Sequence, residues 1–470
     1  MKMLLNGRWL DRPQKINVYN PQDNSLIDTV PLATTADMEE AIGAAVVGFA
    51  QARQLPVHER IRILSETAVI LTNQHEEFAR TIAREGIKTI REARKEVTRC
   101  IETIRISAEE ARRLHGETIA FDQMPGSENR RGFYSREPIG VIGAITPFND
   151  PLNLVAHKVG PALAAGNAII VKPDSKTPLS ALKLAEAIHE TGLPDGMLQV
   201  ITGNGSEVGQ TLVTDPRVRM ISFTGGLATG TAIMNQIGLK KVGMELGSNC
   251  PVIVMADADL DLALEANVSG AFWAAGQNCL HVQRLLVQDG IYEAFAERFV
   301  AAAQAYTVGD KLDEATDMGP LINEQAAKHV ATLVDEAVAA GATLLTGGQR
   351  DGNFYAPTVL ADVADNCTLA HEEIYGPVTL LYRFHTLDEA IAQANEVNYG
   401  LQSGIFTRDL QTAFQAAAQL SCGGVMVNDS TDYRIDAMPF GGVKGSGLGR
   451  EGIRFALHEM TEPKVVCFNL

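Results

Sequence analysis

Between residues 37 and 94 apolar positions recur at helical spacing. Ile42, Val46 and Phe49 fall on one face, and Ile61, Leu64, Ala68 and Leu71 on another, with Pro56 as the break between them. From residue 139 the texture changes to short β-branched runs at 139–145, 168–171, 198–201 and 220–223, with Ala-rich or helix-prone stretches at 154–165, 179–191 and 206–213. Strand and helix alternating at this interval is the rhythm of βαβ units and a parallel sheet. A second such rhythm follows residue 245, with strands expected at 251–255, 284–287 and 378–382 and helices at 260–274, 291–305 and 324–340. Two α/β lobes are the simplest architecture. The polar segment 126–133 and the apolar segment 464–468 have no obvious local partner, which predicts a small protruding oligomerisation element.

Composition narrows the function classes. A chain of 470 residues has room for roughly two to four domains, and 46% apolar with 21% charged residues is the balance of a folded globular protein. Lys plus Arg total 40 against 57 Asp plus Glu, a net charge of −17, which argues against a nucleic-acid surface or an anionic membrane and leaves small molecules as partners. The six cysteines are scattered without a CxxC pair or a His/Cys cluster, so neither a metal site nor a disulfide framework is expected, and a reducing compartment fits. The N-terminus has only three consecutive apolar residues before Asn6, and no run reaches the ~18 of a membrane span, so a cytoplasmic location is expected.

Several short segments could carry chemistry. In AITPFNDP (144–151) a strand is followed by a turn that sets Asn149 at the carboxyl edge of a parallel sheet, where its amide could donate to an oxyanion; a plain turn residue before proline is the competing reading. IIVKP delivers Lys172 to a strand end, within reach of a ribose or phosphate, or else simply to the surface. Phe223, Thr224, Gly225, Gly226 and Thr229 run from a strand into a helix whose N-terminus could face a pyrophosphate, though the glycines do not form GxGxxG. Glu245 precedes a glycine turn, and Cys279 lies in a Gly/Asn loop. A thiolate is a strong nucleophile and a nearby carboxylate can activate water against its thioester, yet an isolated cysteine is more often a small core hydrophobe.

Order and separation change that balance. Asn149, Lys172, the turn at Gly225, Glu245, Cys279, the segment EEIYGP (372–377) and the segment PFGGVKGSG (439–447) together resemble the NAD(P)-dependent aldehyde dehydrogenase superfamily nearly end to end. The stretch 428–452 is most similar to the branch that includes lactaldehyde and phosphonoacetaldehyde dehydrogenases. The resemblance implies an α/β fold of two lobes plus a small β oligomerisation arm. Its Rossmann-like cofactor domain would span residues 1–115 and 138–245, its catalytic domain 246–445, and its arm 116–137 and 446–470. It implies that Cys279 attacks an aldehyde, that Asn149 and the Cys279 N–H hold the oxyanion, and that Glu245 activates water to hydrolyse the thioester. It also implies that NAD or NADP lies against Ile145, Thr146, Pro147, Phe148, Lys172, Ser175, the turn from Phe223 to Gly226, Thr229, Leu246, Glu373 and Tyr375. A homodimer or homotetramer is expected, and no metal.

Some positions depart from the family pattern. Ser175 stands where NAD-specific members often carry Glu, which removes a repulsion against a 2′-phosphate and, with Lys172 and Lys176, favours tolerance of NADP. Asp150 replaces a wall residue of the substrate tunnel. With Asn278 and His281 flanking Cys279, and Asp432 and Arg434 in the late loop, it points to a short polar aldehyde, unless Asp150 pairs with an internal Lys or Arg. Two other classes compete: a CoA-acylating semialdehyde dehydrogenase, which typically lacks the glutamate at position 245, and a non-catalytic protein of the same fold, which would lack Cys279 or Glu245.

Overall fold

A computed structural model describes all 470 residues. Four helices, Thr35–Ala52, Val57–Asn73, His75–Glu85 and Ile90–Ala111, form most of the scaffold before the first parallel strand. Two begin with capping boxes, Thr34 with Asp37 and Thr89 with Glu92, which satisfy the exposed N–H groups of the first turn. The first helix buries Met38, Ala41, Ile42 and Ala45, so its core face is rotated away from Val46, which is 41% exposed. Ala45 shares the core face with Ile42 in place of the expected Val46.

The first lobe is built on an eight-stranded sheet whose central strands are parallel in the order Leu198–Val200, Ala168–Lys172, Val141–Ile145, Val218–Thr224 and Lys241–Glu245. Ala168–Lys172 and Val141–Ile145, the inner strands, are buried on both faces because helices pack on each side, as in doubly wound α/β proteins. The helix expected at 206–213 is instead a π-turn, Gly205–Gly209, followed by Gln210–Thr214. Such wide turns are frequent at functional sites. The second lobe is a seven-stranded sheet with parallel Val282–Gln288 at its centre, flanked by Cys250–Val254 and Val378–Phe384.

The C-terminal region divides differently from the sequence expectation. Gly447–Leu448 pairs with Met244 and Glu245 at the edge of the first sheet, and helix Ile453–Glu459 places Leu457 in the first lobe's core. Only Thr461–Asn469 stands apart, pairing antiparallel with Arg130–Pro138 of the same chain, which in turn pairs with Glu117–Thr118. The final strand thus has a partner within its own chain on one side and an open edge on the other.

Candidate active site

Four adjacent parallel strands of the first sheet end on one edge, and their last residues, Ile145, Lys172, Thr224 and Glu245, all face a cleft of about 530 Å³. The chain winds outward from Val141–Ile145 and then returns to its other side at Val218–Thr224, so the cleft occupies the switch point where α/β sheets bind ligands. Thr146, Pro147 and Phe148 form one wall; Phe223, Gly225, Gly226 and Thr229 form another where the strand turns into helix Leu227–Met234. Leu246 lines the floor beside Gly230, where any side chain would collide with it.

Glu373 and Tyr375 reach this cleft from the second lobe. The Glu373 carboxylate accepts the Ser248 N–H at 2.9 Å, an approach that requires glycine at 247 because a Cβ there would strike the carboxylate. Burial pushes Glu373 up to about 7. Tyr375 adopts a left-handed φ of 52° and sets its ring edge-on to Phe148, centroids 5.8 Å apart. Ser175, expected here, does not line the cleft; Asp174, just beyond the strand end, does, with its carboxylate accepting the Lys176 N–H at 2.8 Å.

A second cavity of about 660 Å³ lies beyond the first, and Asn149, Leu154 and Cys279 are the residues that line both. The loop carrying Cys279 is strained into place. Ala274, Ala275 and Gly276 all have left-handed φ values, of 51°, 53° and 68°, a conformation that costs non-glycine residues roughly 1 kcal/mol or more each. The Ala274 N–H is held by Glu92 at 2.8 Å, and the Gln277 side chain donates to Pro320 O at 3.3 Å and accepts from Ile322 N at 2.9 Å. Ser248 donates its hydroxyl to the Cys279 carbonyl. The Cys279 N–H itself meets no protein acceptor, and neither does the buried Asn149 amide. Two donors are thus left free beside one sulfur.

Asn149 is fixed from behind. Glu96 accepts the N–H groups of Leu152 at 2.8 Å and Asn153 at 3.0 Å, while Lys88 bridges Glu96 and Asp150. Asp150 also lies 3.7 Å from Arg99. The acid expected to meet substrate is therefore ion-paired within the chain, although it borders the second cavity. Asn278 borders it as well, but both ends of its amide are engaged, with Trp273 O at 3.2 Å and Leu280 N at 3.0 Å. His281 lines neither cavity. It turns into the core as the chain enters strand Val282–Gln288, and burial pulls it down to about 3, so it is neutral. Arg434 does line the second cavity, bonded to Glu451 at 3.1 Å.

Electrostatics set the resting protonation. Burial pushes the half-buried Cys279 thiol well above its ordinary range, against the pull of the Arg434 charge. Glu245, whose Oε2 has no hydrogen-bond partner, is raised by burial and then by Glu451. Glu451 moves the other way: burial opposes its charge, but Lys158, His157 and Arg434 outweigh burial and hold it ionised. Sequence reasoning missed the acids and bases of helix Ile90–Ala111 that surround Asn149, since nothing in their spacing tells a buried pair from a solvated helix face.

Comparison with known proteins fits this geometry. The pattern of the Aldehyde dehydrogenase family matches residues 9–466. The chain belongs to the aldehyde dehydrogenase family. Aspartate-semialdehyde dehydrogenase 1 of Pseudomonas canavaninivorans is 52% identical over 455 residues, covering 97% of each protein. The crystal structure of aldehyde dehydrogenase 21 from Physcomitrella patens, in complex with the reaction product succinate, superposes with a TM-score of 0.98 at 41% identity, covering 100% of this chain and 98% of that one. The NADP-dependent glyceraldehyde-3-phosphate dehydrogenase of Bacillus halodurans C-125, complexed with NADP, gives a TM-score of 0.97 at 38% identity and covers 100% of this chain and 99% of its own. This aldehyde dehydrogenase is an NAD- or NADP-dependent oxidoreductase. Its cleft suits a dinucleotide: the Thr146 and Thr224 hydroxyls are buried without partners, Glu373 keeps Oε2 uncommitted, and the position of Gly226 opens onto empty space.

Proposed function

We propose that the enzyme oxidises a short polar aldehyde to its carboxylic acid through a covalent adduct on Cys279. The observation that carries this reading is the position of Cys279 and Asn149 at the junction of the two cavities, with Glu245 on the cofactor side. The aldehyde enters from the second cavity, Cys279 gives up its proton to solvent, and the thiolate sulfur adds to the carbonyl carbon. The resulting oxyanion receives the Asn149 amide and the Cys279 N–H, both uncommitted beforehand, so no protein hydrogen bond has to break as charge develops. Bound NAD(P)⁺ supplies the acceptor for the hydride that leaves this adduct. Glu245 then takes a proton from water as it attacks the thioester, releasing the acid and the thiol. Glu373 would hold a ribose of the cofactor, and Lys172 the adenosine ribose.

Hydrolysis is favoured over transfer to CoA by the carboxyl of Glu245 facing the cleft. Identifying the product tests this directly: free acid is expected whether or not CoA is supplied, and acyl-CoA as the main product would overturn it. Lys172 and Lys176 against the single acid Asp174 leave room for a 2′-phosphate, so kcat/KM with NADP is expected within about tenfold of that with NAD. The semialdehyde named for one relative and the reaction product succinate bound by one neighbour support a short aldehyde with a second polar group. The open edge of Thr461–Asn469, with Val465 and Phe468 exposed, supports pairing with a second copy of the chain. A dimer or tetramer by light scattering is expected, and a monomer would contradict it.

A further inference from the structure

The two donors that would meet the oxyanion belong to different lobes. Asn149 follows strand Val141–Ile145 of the first sheet, and Cys279 precedes strand Val282–Gln288 of the second. No shared sheet fixes their separation, yet a misplacement of about 1 Å at a reacting centre can cost about 100-fold in rate. Another element has to hold the lobes in register at this point.

Helix Ile90–Ala111 spans that seam. Its first turn is tied to the second lobe: the Ile90 N–H donates to Lys311 O at 2.7 Å, and Arg91 Nη2 donates to Thr316 O at 2.8 Å and pairs with Asp317 at 2.7 Å. Just before the helix, Ile87 packs with Ala274 and Ile322 of the second lobe, and Phe148, the neighbour of Asn149, lies against that cluster. Further along, Val97, Cys100, Ile101, Ile104 and Ala108 sit in the first lobe's core. Between these grips the helix carries two buried acids on one face, Glu92 and Glu96, about 6 Å apart along its axis. One Glu92 oxygen accepts the N–H of Ala274, the first of the three left-handed residues in the Cys279 loop, at 2.8 Å, and the other accepts the Thr89 N–H of its own cap at 2.8 Å. Glu96 reaches the turn that carries Asn149, with one oxygen on the Leu152 and Asn153 N–H groups and the other on Lys88 at 2.9 Å. All the carboxylate oxygens of the two acids are committed to the protein, so they hold groups in place rather than react.

We propose that helix Ile90–Ala111 sets the distance between the two oxyanion donors across the lobe seam, with Glu96 as the positioning residue for Asn149 and Glu92 as that for the Cys279 loop. The proposal rests on the Cys279 reading and extends it from the groups that touch the oxyanion to those that place them. Each acid grips backbone N–H groups, so the Asn149 amide and the Cys279 N–H stay free for the reaction while the main chain on either side is pinned. Truncating Glu96 releases the Asn149 turn and leaves the Cys279 loop held; truncating Glu92 does the reverse.

The test reads the single-turnover rate of cofactor reduction, with whichever of propanal and succinate semialdehyde reacts faster, and cofactor affinity by fluorescence titration. Glu96→Ala is expected to slow the first turnover about 30-fold with cofactor affinity unchanged, but less than about twofold when Asn149 is already alanine, since Glu96 acts through that amide. Glu92→Ala should cost about tenfold in both backgrounds, because the Cys279 N–H remains in use. Glu96→Gln keeps an acceptor for Leu152 and Asn153 but gives up the charge pairing with Lys88. It should lower Tm as Glu96→Ala does, yet hold the rate within about threefold of wild type. If the alanine variant does not fold, Glu96→Asp, which draws the acceptor back by one methylene, carries the same comparison. A Glu96 loss of equal size with and without Asn149, a glutamine variant as slow as the alanine one, or a Glu92→Ala enzyme at the wild-type rate would overturn the proposal and leave the Cys279 reading intact. Full activity in Asn149→Ala, or no aldehyde oxidation at all, would instead sink that reading and this proposal with it.

Discussion

The two cavities that meet at Cys279 are built by different means. The cofactor cleft comes largely from the ends of adjacent strands in one sheet, Ile145, Lys172, Thr224 and Glu245, so its shape follows from topology. The second cavity is assembled from helix Ile90–Ala111, helix Leu260–Phe272, the Cys279 loop and the segment 429–434, and its character comes from charged side chains that no local pattern links. Backbone architecture thus provides what every reaction of the enzyme shares, and side chains from distant segments provide choice among substrates. Changes at the junction and in the cleft should affect all aldehydes alike, whereas changes in the second cavity should alter their ranking.

The largest test of that division is Cys279→Ala, expected to lower kcat by about 10⁴-fold or more for every aldehyde while cofactor binding by fluorescence titration persists. Residual turnover that depended on the aldehyde would blur the division. Asn149→Ala should reduce kcat/KM by about 10²- to 10³-fold, again uniformly, since it removes one oxyanion donor. Glu373→Gln should act on the cofactor side only, raising the cofactor's KM about tenfold with the aldehyde ranking preserved.

The pH dependence separates the same two regions. Cys279 and Glu245 are both raised, so thiolate and carboxylate grow with pH, and kcat/KM for the aldehyde should rise from neutral into alkaline solution. Glu373 is protonated below about 7 and accepts ribose hydroxyls as its carboxylate, so cofactor affinity should strengthen as pH rises through that value. In Glu373→Gln this dependence should flatten. The smallest effect is expected for Asp150→Ala. Lys88 keeps Glu96 but loses its second acid, which should cost ~1–3 kcal/mol of stability by chemical denaturation and leave the order of preferred aldehydes unchanged. A reordering would place Asp150 on the substrate after all.

The same contrast explains what could be read from the chain. The βαβ rhythm and its glycine turns were legible because they are local, and they put Lys172 and Thr224 at strand ends, whereas strand Lys241–Glu245, which brings Glu245 to the same edge, was not foreseen. Ser175 does not line the cleft and Asp174 does, a difference of one position set by the irregular chain beyond the strand end at Lys172. His281 lies two residues from Cys279 and was expected beside substrate, but the chain turns inward there to start a buried strand. The pairing of Asp150 with Lys88 joins residues 62 apart, and that of Arg99 with Asp436 residues 337 apart; such partners are set by tertiary packing that no window of sequence contains. The arm was similarly half legible: residues 116–137 and the terminal strand were foreseen as its parts, while the pairing of that strand with Arg130–Pro138 in the same chain was not.

The central claim is that catalysis passes through an acyl group on one sulfur, cleared by Glu245. Intact-mass spectrometry of Glu245→Gln, quenched after mixing with aldehyde and cofactor, tests it most directly. The account predicts a burst of about one equivalent of reduced cofactor per active site and a mass increase equal to the acyl group, mapped by peptide digestion to Cys279. Full steady-state turnover with unmodified Cys279, or an adduct on another residue, would contradict it.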